Sequence, residues 1–333
     1  MKDITKNKPN YPAIITTLLF FACILIPVLS TNFKPNQISE IDNTSLMEWS
    51  DISTDLNSFT GDFETYVTER IGLRTHMIDS YINLNDRLFN ILEHPVYRYG
   101  KEGYVFFNMP SENVKRSYLK SFAKFVSRME QYLSDNNISF LYCINPNKTQ
   151  VYPDYLPDGA NLTFPRQKLL KDYLDEYNVN YIDNTDLLID ASKETDVFDK
   201  KYDAGHWNEN GAYIGISNIL NALSVEYPEI PVNKSSDYTI TEIIHETLPL
   251  SNFKINEPGV SYARNNPEAI DITADDTDII LDENYHDYSH YINPAHPELP
   301  KILVFRGSYF LGKEKFMNES FSESVFVHSY YNI

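Results

Sequence analysis

The stretch "ILVFRGSYF", residues 302–310, decides how the chain folds. An apolar run rich in β-branched and aromatic residues reads as a buried strand, and this one passes straight into Gly307 and Ser308. Strands buried on both faces belong to parallel or mostly parallel sheets covered by helices. Such open sheets bind ligands in the crevice beyond the carboxyl ends of their strands. Ser308 therefore occupies a nucleophile's position. Gly307 permits a tight turn with close backbone approach, and the N–H groups that follow can face a developing oxyanion. The same residues also read as a plain strand-to-helix turn with Ser308 as its N-cap.

The centre of the chain has the alternation that such a sheet requires. A helix is expected over about 113–135, a strand over 138–144 ("ISFLYCI"), a helix near 165–177, the strand "VNYIDN" and a helix over about 209–224. Helices alternating with continuous apolar strands give an α/β fold. "ESVFVHSYY" is expected to form a further strand, and "HPVYRYGKEGYVFF" a β-hairpin around "GKEG". Upstream, residues 59–92 are helical in pattern, interrupted at Gly72. Residues 228–296 are dense in Pro, Asn, Asp and Ser and lack helical periodicity, so a long irregular insertion with short β pieces is expected.

A serine nucleophile needs a base, and the base needs a group to orient it. "KYDAGHWNENGAY", residues 201–213, supplies Asp203 and His206. A carboxylate can hold one imidazole nitrogen as donor and leave the other to accept from a serine. Alone, an Asp-x-x-His in a loop is more often a turn or a cap. Asn147 and Lys148, in the Pro-rich "INPNKTQVYPDYLPDG" that follows a strand, can present donors at the same sheet edge. The alternative is a proline-stiffened surface loop with Lys148 solvated. His286, His290 and His296 would need a helix to bring the first two together on a metal. Their Asn- and Pro-rich surroundings argue against one, and no metal is expected.

Lys2, Lys6 and Lys8 precede an apolar run at residues 12–31, close to the length that crosses a bilayer. Basic residues on that flank keep residues 1–11 in the cytoplasm and place the rest outside. An uncleaved single-pass anchor is expected, with a cleaved signal peptide as the competing view. Pro27 is tolerated in such a span. Residues 32–58 read as a polar spacer, and 59–333 as the folded domain. Past the anchor only Cys143 remains, so no intrachain disulfide forms there; it reads as a small buried hydrophobe. With 47 acidic against 28 basic residues the net charge is -19, which excludes a nucleic-acid partner.

Taken in order, the N-terminal apolar segment, "FETYVTERIGLR", "GKEGYVFF", "NPNKTQVYPDYLP", "DAGHWNENGA" and "VFRGSYF" resemble the SGNH hydrolase-like proteins of the alginate O-acetyltransferase (AlgX/AlgJ) type, particularly their Gram-positive DHHW branch. The resemblance implies a three-layer α/β/α, flavodoxin-like domain. It maps Ser308 to the nucleophile, His206 to the general base and Asp203 to its orienting carboxylate. Substrate or oxyanion contacts would come from Gly307, Asn147, Lys148, Tyr309, Arg306 and Trp207, with Trp207 and Asn208 forming the wall and helix start. Arg306-Gly307-Ser308 stands where the usual first block has Gly-Asp-Ser, and Asp203 and His206 keep the spacing of classical GDSL enzymes. Relatives continue through a further helix and strand after the stretch matching "VHSYYNI", implying a domain shortened at its C-terminus.

The function implied is transfer of an acetyl group to a cell-surface or secreted polysaccharide outside the cytoplasm. No cofactor is expected; a membrane-bound O-acyltransferase would deliver the acetyl group. A glycan acetyl esterase would use the same three residues. A non-catalytic glycan-binding or assembly protein would keep the fold without the chemistry.

Overall fold

The computed structural model describes residues 10–39, 45–94, 96–108, 114–160, 165–249, 252–276, 279 and 287–329. Two compact units emerge, one of residues 1–96 with 249–253, the other of 97–248 with 254–333.

In the first unit α1, Tyr11–Leu29, is long and apolar enough to cross a membrane, with mean hydropathy 2.5. Helices α2 (Leu56–Arg70) and α3 (Arg74–Phe89) follow. The expected break at Gly72 falls between them, where Leu73 takes a left-handed φ of 61°. Gly72 is required here: a Cβ would lie 2.3 Å from that of Ser30, and its N–H donates to Pro27 O at 3.0 Å. The described part of the expected spacer is not a free tether. Arg70, fully buried on α2, donates to the carbonyls of Asn32, Lys34 and Met47 and pairs with Glu48 at 2.7 Å. One guanidinium thereby fastens the chain leaving α1 onto α2.

The second unit opens with the expected hairpin, β1 (Tyr97–Tyr99) antiparallel to β2 (Val105–Phe107). Then come α4 (Arg116–Asp135), β3 (Tyr142–Ile144), α5 (Lys148–Val151), α6 (Pro165–Glu176), β4 (Tyr181–Asp183), α7 (Thr185–Ala191) and α8 (Glu209–Ser224). β3 and β4 pair in parallel. Ala123 and Val126 of α4 and Leu174 of α6 cover Ile144 on one face. On the other, Cys143 and Ile182 pack against a core containing Ala212, Ile216 and Leu220 of α8 with Trp207, Phe310 and Phe326. Helix, strand and helix layers result. Cys143, expected to be buried, is half-buried against this core, and desolvation pushes its thiol up to about 12.

The chain continues through β5 (Tyr238–Thr247), β6 (Lys254–Arg264), β7 (Ile270–Asp271), β8 (Tyr288–Ile292), β9 (Lys301–Arg306) and β10 (Glu323–His328). β9 and β10 are parallel, while β8 joins β10, and β7 joins β8, antiparallel. The α/β fold therefore carries mixed ladders, parallel where the site is built. Residues 238–264 differ from the irregular insertion expected: β5 and β6 form one long antiparallel hairpin. Few of its strand positions are buried, and Glu, Asn, Pro and Gly interrupt the apolar alternation that marks half-buried strands. Residues 330 and 331 of the expected last strand lie outside the described residues.

Candidate active site

Ser308, His206 and Asp203 converge. β9 ends at Arg306, Gly307 is extended (φ -95°, ψ -171°), and Ser308 opens a single 3₁₀ turn to Phe310. Ser308 is exposed, and its Oγ lies 2.7 Å from His206 Nε2. On the far side of the imidazole, Nδ1 is 2.9 Å from Asp203 Oδ2 and 3.2 Å from Oδ1. Asp203 Oδ1 also accepts the backbone N–H groups of Gly205 and His206, at 2.8 and 2.9 Å. The Asp-x-x-His spacing thus closes a turn and orients a ring at once. Burial alone would raise the Asp203 carboxyl. The hydrogen bond from the imidazole and those from the two backbone N–H groups outweigh it and hold the group below the usual carboxylate range.

Residues 97–260 match the family model for the SGNH hydrolase-like domain of acetyltransferase AlgX. That stretch is similar to the AlgX-type domain. The match takes in Asp203 and His206; Ser308 lies beyond it. No curated protein sequence matches the chain. Among solved structures, PatB1 of Bacillus cereus with a sulfonyl adduct is 16% identical with a TM-score of 0.54, over 70% of this chain and 84% of that one. A DHHW family protein from Eubacterium siraeum is 15% identical with a TM-score of 0.51, over 73% and 86%. Both share the fold of this chain.

Around the three residues, buried polar groups hold the loops in place. Trp207 is buried, donates from Nε1 to Tyr309 O at 2.7 Å, and packs edge-on to that ring. Gly215 of α8 makes room for it: a Cβ there would come within 2.4 Å of the indole. Asn208 starts α8 by accepting the Gly211 N–H at 3.0 Å, and its amide donates to Asp196 O. The helix start read from the sequence is present, whereas Trp207, expected among the substrate or oxyanion contacts, is buried with its indole N–H already spent on a backbone carbonyl.

Tyr309, expected at the substrate, instead spends its hydroxyl on Gly205 O (2.8 Å) and Pro146 O (3.0 Å), tying the His206 and Asn147 loops to the Ser308 turn. Burial drives its phenol far above the ordinary tyrosine range. Arg306 is likewise not a substrate contact. Its side chain points inward with Ile302 and Val304 on alternate positions of β9 and lies 3.7 Å from Glu314. Asn147 caps α5, accepting the Gln150 N–H, so its carboxamide oxygen is occupied. Gly307 is exposed, and a Cβ on it would meet nothing within 4 Å.

Lys148 is neither solvated nor turned toward the crevice. It is completely buried, and its ammonium donates to the carbonyls of Val105 (2.8 Å), Lys200 (2.9 Å) and Asp203 (3.0 Å). Burial lowers it from 10.5 to about 8. The same loop is gripped from its N–H side by a residue the sequence did not single out. Glu257 of β6 accepts the N–H groups of Lys201 and Tyr202. Asp199, buried nearby, is pushed up to about 6, chiefly by burial and then by Glu257. The backbone leading into Asp203 is therefore clamped from both sides by buried charges of opposite sign.

Of the three histidines weighed as metal ligands, His290 lies on β8, a strand, and meets Asp276 at 2.7 Å. His296 sits apart, between Glu298 and Glu268. His286 lies outside the described residues.

Proposed function

We propose that the protein is a membrane-anchored O-acetyltransferase acting outside the cytoplasm on a cell-surface or secreted polysaccharide, through an acetyl-serine at Ser308. The observation that carries this reading is the continuous hydrogen-bonded chain from Ser308 Oγ through His206 to Asp203, in a domain similar to the acetyltransferase AlgX type.

Ser308 Oγ attacks the carbonyl carbon of an acetyl ester while His206 Nε2 takes the hydroxyl proton. Asp203 keeps Nδ1 protonated and stabilises the imidazolium that forms. The negative oxygen of the tetrahedral intermediate faces the start of the 3₁₀ turn, where the first N–H groups have no partner within the turn; the Asn147 amide nitrogen is a second candidate donor. Collapse breaks the bond to the leaving oxygen, which receives the proton from His206. A sugar hydroxyl then attacks the acetyl-serine, gives its proton to His206, and departs as the acetyl ester as Ser308 is regenerated. A multispanning acyltransferase is the proposed source of the acetyl group. The exposure of Gly307 and Ser308 suits a large acceptor.

With water in place of the sugar the same residues form an esterase, so the test measures partition. The purified full chain is given p-nitrophenyl acetate with and without an acceptor oligosaccharide, and acetyl sugar and acetate are quantified by NMR. Transferase activity predicts acetyl sugar that disappears in Ser308→Ala. Acetate alone at saturating acceptor would establish the esterase, and equal rates in Ser308→Ala would remove the catalytic reading altogether.

A further inference from the structure

α3 has two distinct sides. One is packed, with Asp79 and Ile82 buried in the first unit. The other carries Met77, Tyr81, Leu84 and Leu88, spaced i, i+4, i+7 and i+11, which aligns them in a single stripe. All four are exposed, Leu84 at 56% and Leu88 at 63%. A soluble surface rarely leaves so many large apolar side chains in line without a partner.

What lies against that stripe follows from how α3 is attached. The elbow before it is bonded to the end of the apolar helix: Gly72 N–H donates to Pro27 O, and Asn32 N–H to Arg70 O at 2.8 Å. The fit leaves no room for a Cβ on Gly72. A helix of 19 residues rises about 28 Å, close to the thickness of a bilayer's hydrocarbon core. If α1 spans from Tyr11, Ser30 and the elbow emerge at the opposite interface, and α3 starts there. Phe33, largely exposed, follows directly on that exit; aromatic rings concentrate at that depth in membrane proteins.

We propose that α3 is an interfacial helix, lying along the outer bilayer surface with Met77, Tyr81, Leu84 and Leu88 in the acyl boundary. The inference rests on the membrane-anchor reading of α1. It gives the anchored protein a second, lateral contact with lipid, as amphipathic helices make.

The test uses the full chain in phosphatidylcholine vesicles containing nitroxide-labelled phosphatidylcholine, with a fluorescent thiol label read by quenching. Native Cys23, exposed on α1, reports on the span. In a Cys23→Ser background, Leu84→Cys and Leu88→Cys report on the stripe, and Val225→Cys, exposed on the second unit, reports on water. Cys143 is replaced by Ala in every labelled protein, so that each carries a single thiol. The expected result is quenching at Leu84 and Leu88 comparable to that at Cys23, with none at Val225. Quenching at Cys23 while Leu84 and Leu88 behave like Val225 would overturn the inference and leave the anchor standing. No quenching at Cys23 would remove the anchor itself. Labels at Leu84 and Leu88 shielded from both lipid and aqueous iodide once a multispanning partner is reconstituted would assign the stripe to protein, which also overturns it.

Discussion

Replacing Lys148 with methionine separates what the buried ammonium costs from what it holds. Its lowering from 10.5 to about 8 means that keeping it charged in the fold costs about 3 kcal/mol at neutral pH, and methionine removes that cost. Methionine also leaves three buried carbonyls, on Val105, Lys200 and Asp203, without their donor. Each such loss costs about 1–3 kcal/mol, roughly 6 in total, so the carbonyls win and the variant is less stable by about 3 kcal/mol. The loop carrying Asp203 loosens, and a displacement of about 1 Å lowers turnover about 100-fold; KM stays near wild type because Lys148 does not face the crevice. Sign matters for the pH dependence. The folded value lies below the unfolded one, so between about pH 8 and 10.5 the unfolded chain holds a proton that the fold lacks. Wild-type stability therefore gains from Lys148 as pH rises through that window, and Lys148→Met lacks this gain. Denaturant unfolding at pH 7 and pH 10, with p-nitrophenyl acetate kinetics at pH 7, measures all three quantities. A variant within a factor of about 3 of wild-type turnover, or with the same pH-dependent gain in stability, would refute the reasoning.

Asp203→Asn keeps the shape of the turn but lets the imidazole take the wrong tautomer; acetyl transfer is expected to fall about 10⁴-fold, read as kcat on p-nitrophenyl acetate. Gly307→Ala should leave the unfolding midpoint unchanged, since its Cβ meets nothing. The methyl group stands beside the proposed nucleophile, however, so KM for a polysaccharide acceptor should rise while hydrolysis of a small ester persists. Gly215→Ala drives a methyl group into Trp207 and is expected to cost about 1–3 kcal/mol by overpacking, measurable as a lower midpoint by circular dichroism.

The three residues that converge were legible in the sequence because each sits at a local signal. Ser308 follows a strand that runs into glycine, and Asp203 and His206 share one turn. α8 was expected over about 209–224 and spans Glu209–Ser224, since a capping Asn and an apolar face mark it. Arg306 could have been placed as well: its parity with Ile302 and Val304 along β9 puts it on their inward side. The role of Lys148 could not. Its three acceptors come from segments around residues 105 and 200–203 that only the folded chain brings together. Glu257 was hidden for the same reason, on a hairpin whose exposed strands carry too little apolar alternation to be read. The Arg70 clasp likewise depends on carbonyls more than twenty residues away in the sequence.

Covalent labelling of the nucleophile tests the central claim most directly. The full chain is treated with an aryl sulfonyl fluoride, and the adduct is counted by intact mass and located by peptide mapping. One adduct is predicted, on Ser308, absent from Ser308→Ala and slowed at least about 100-fold in His206→Ala, which removes the general base. An adduct on another residue, or equal labelling of Ser308→Ala, would contradict the account.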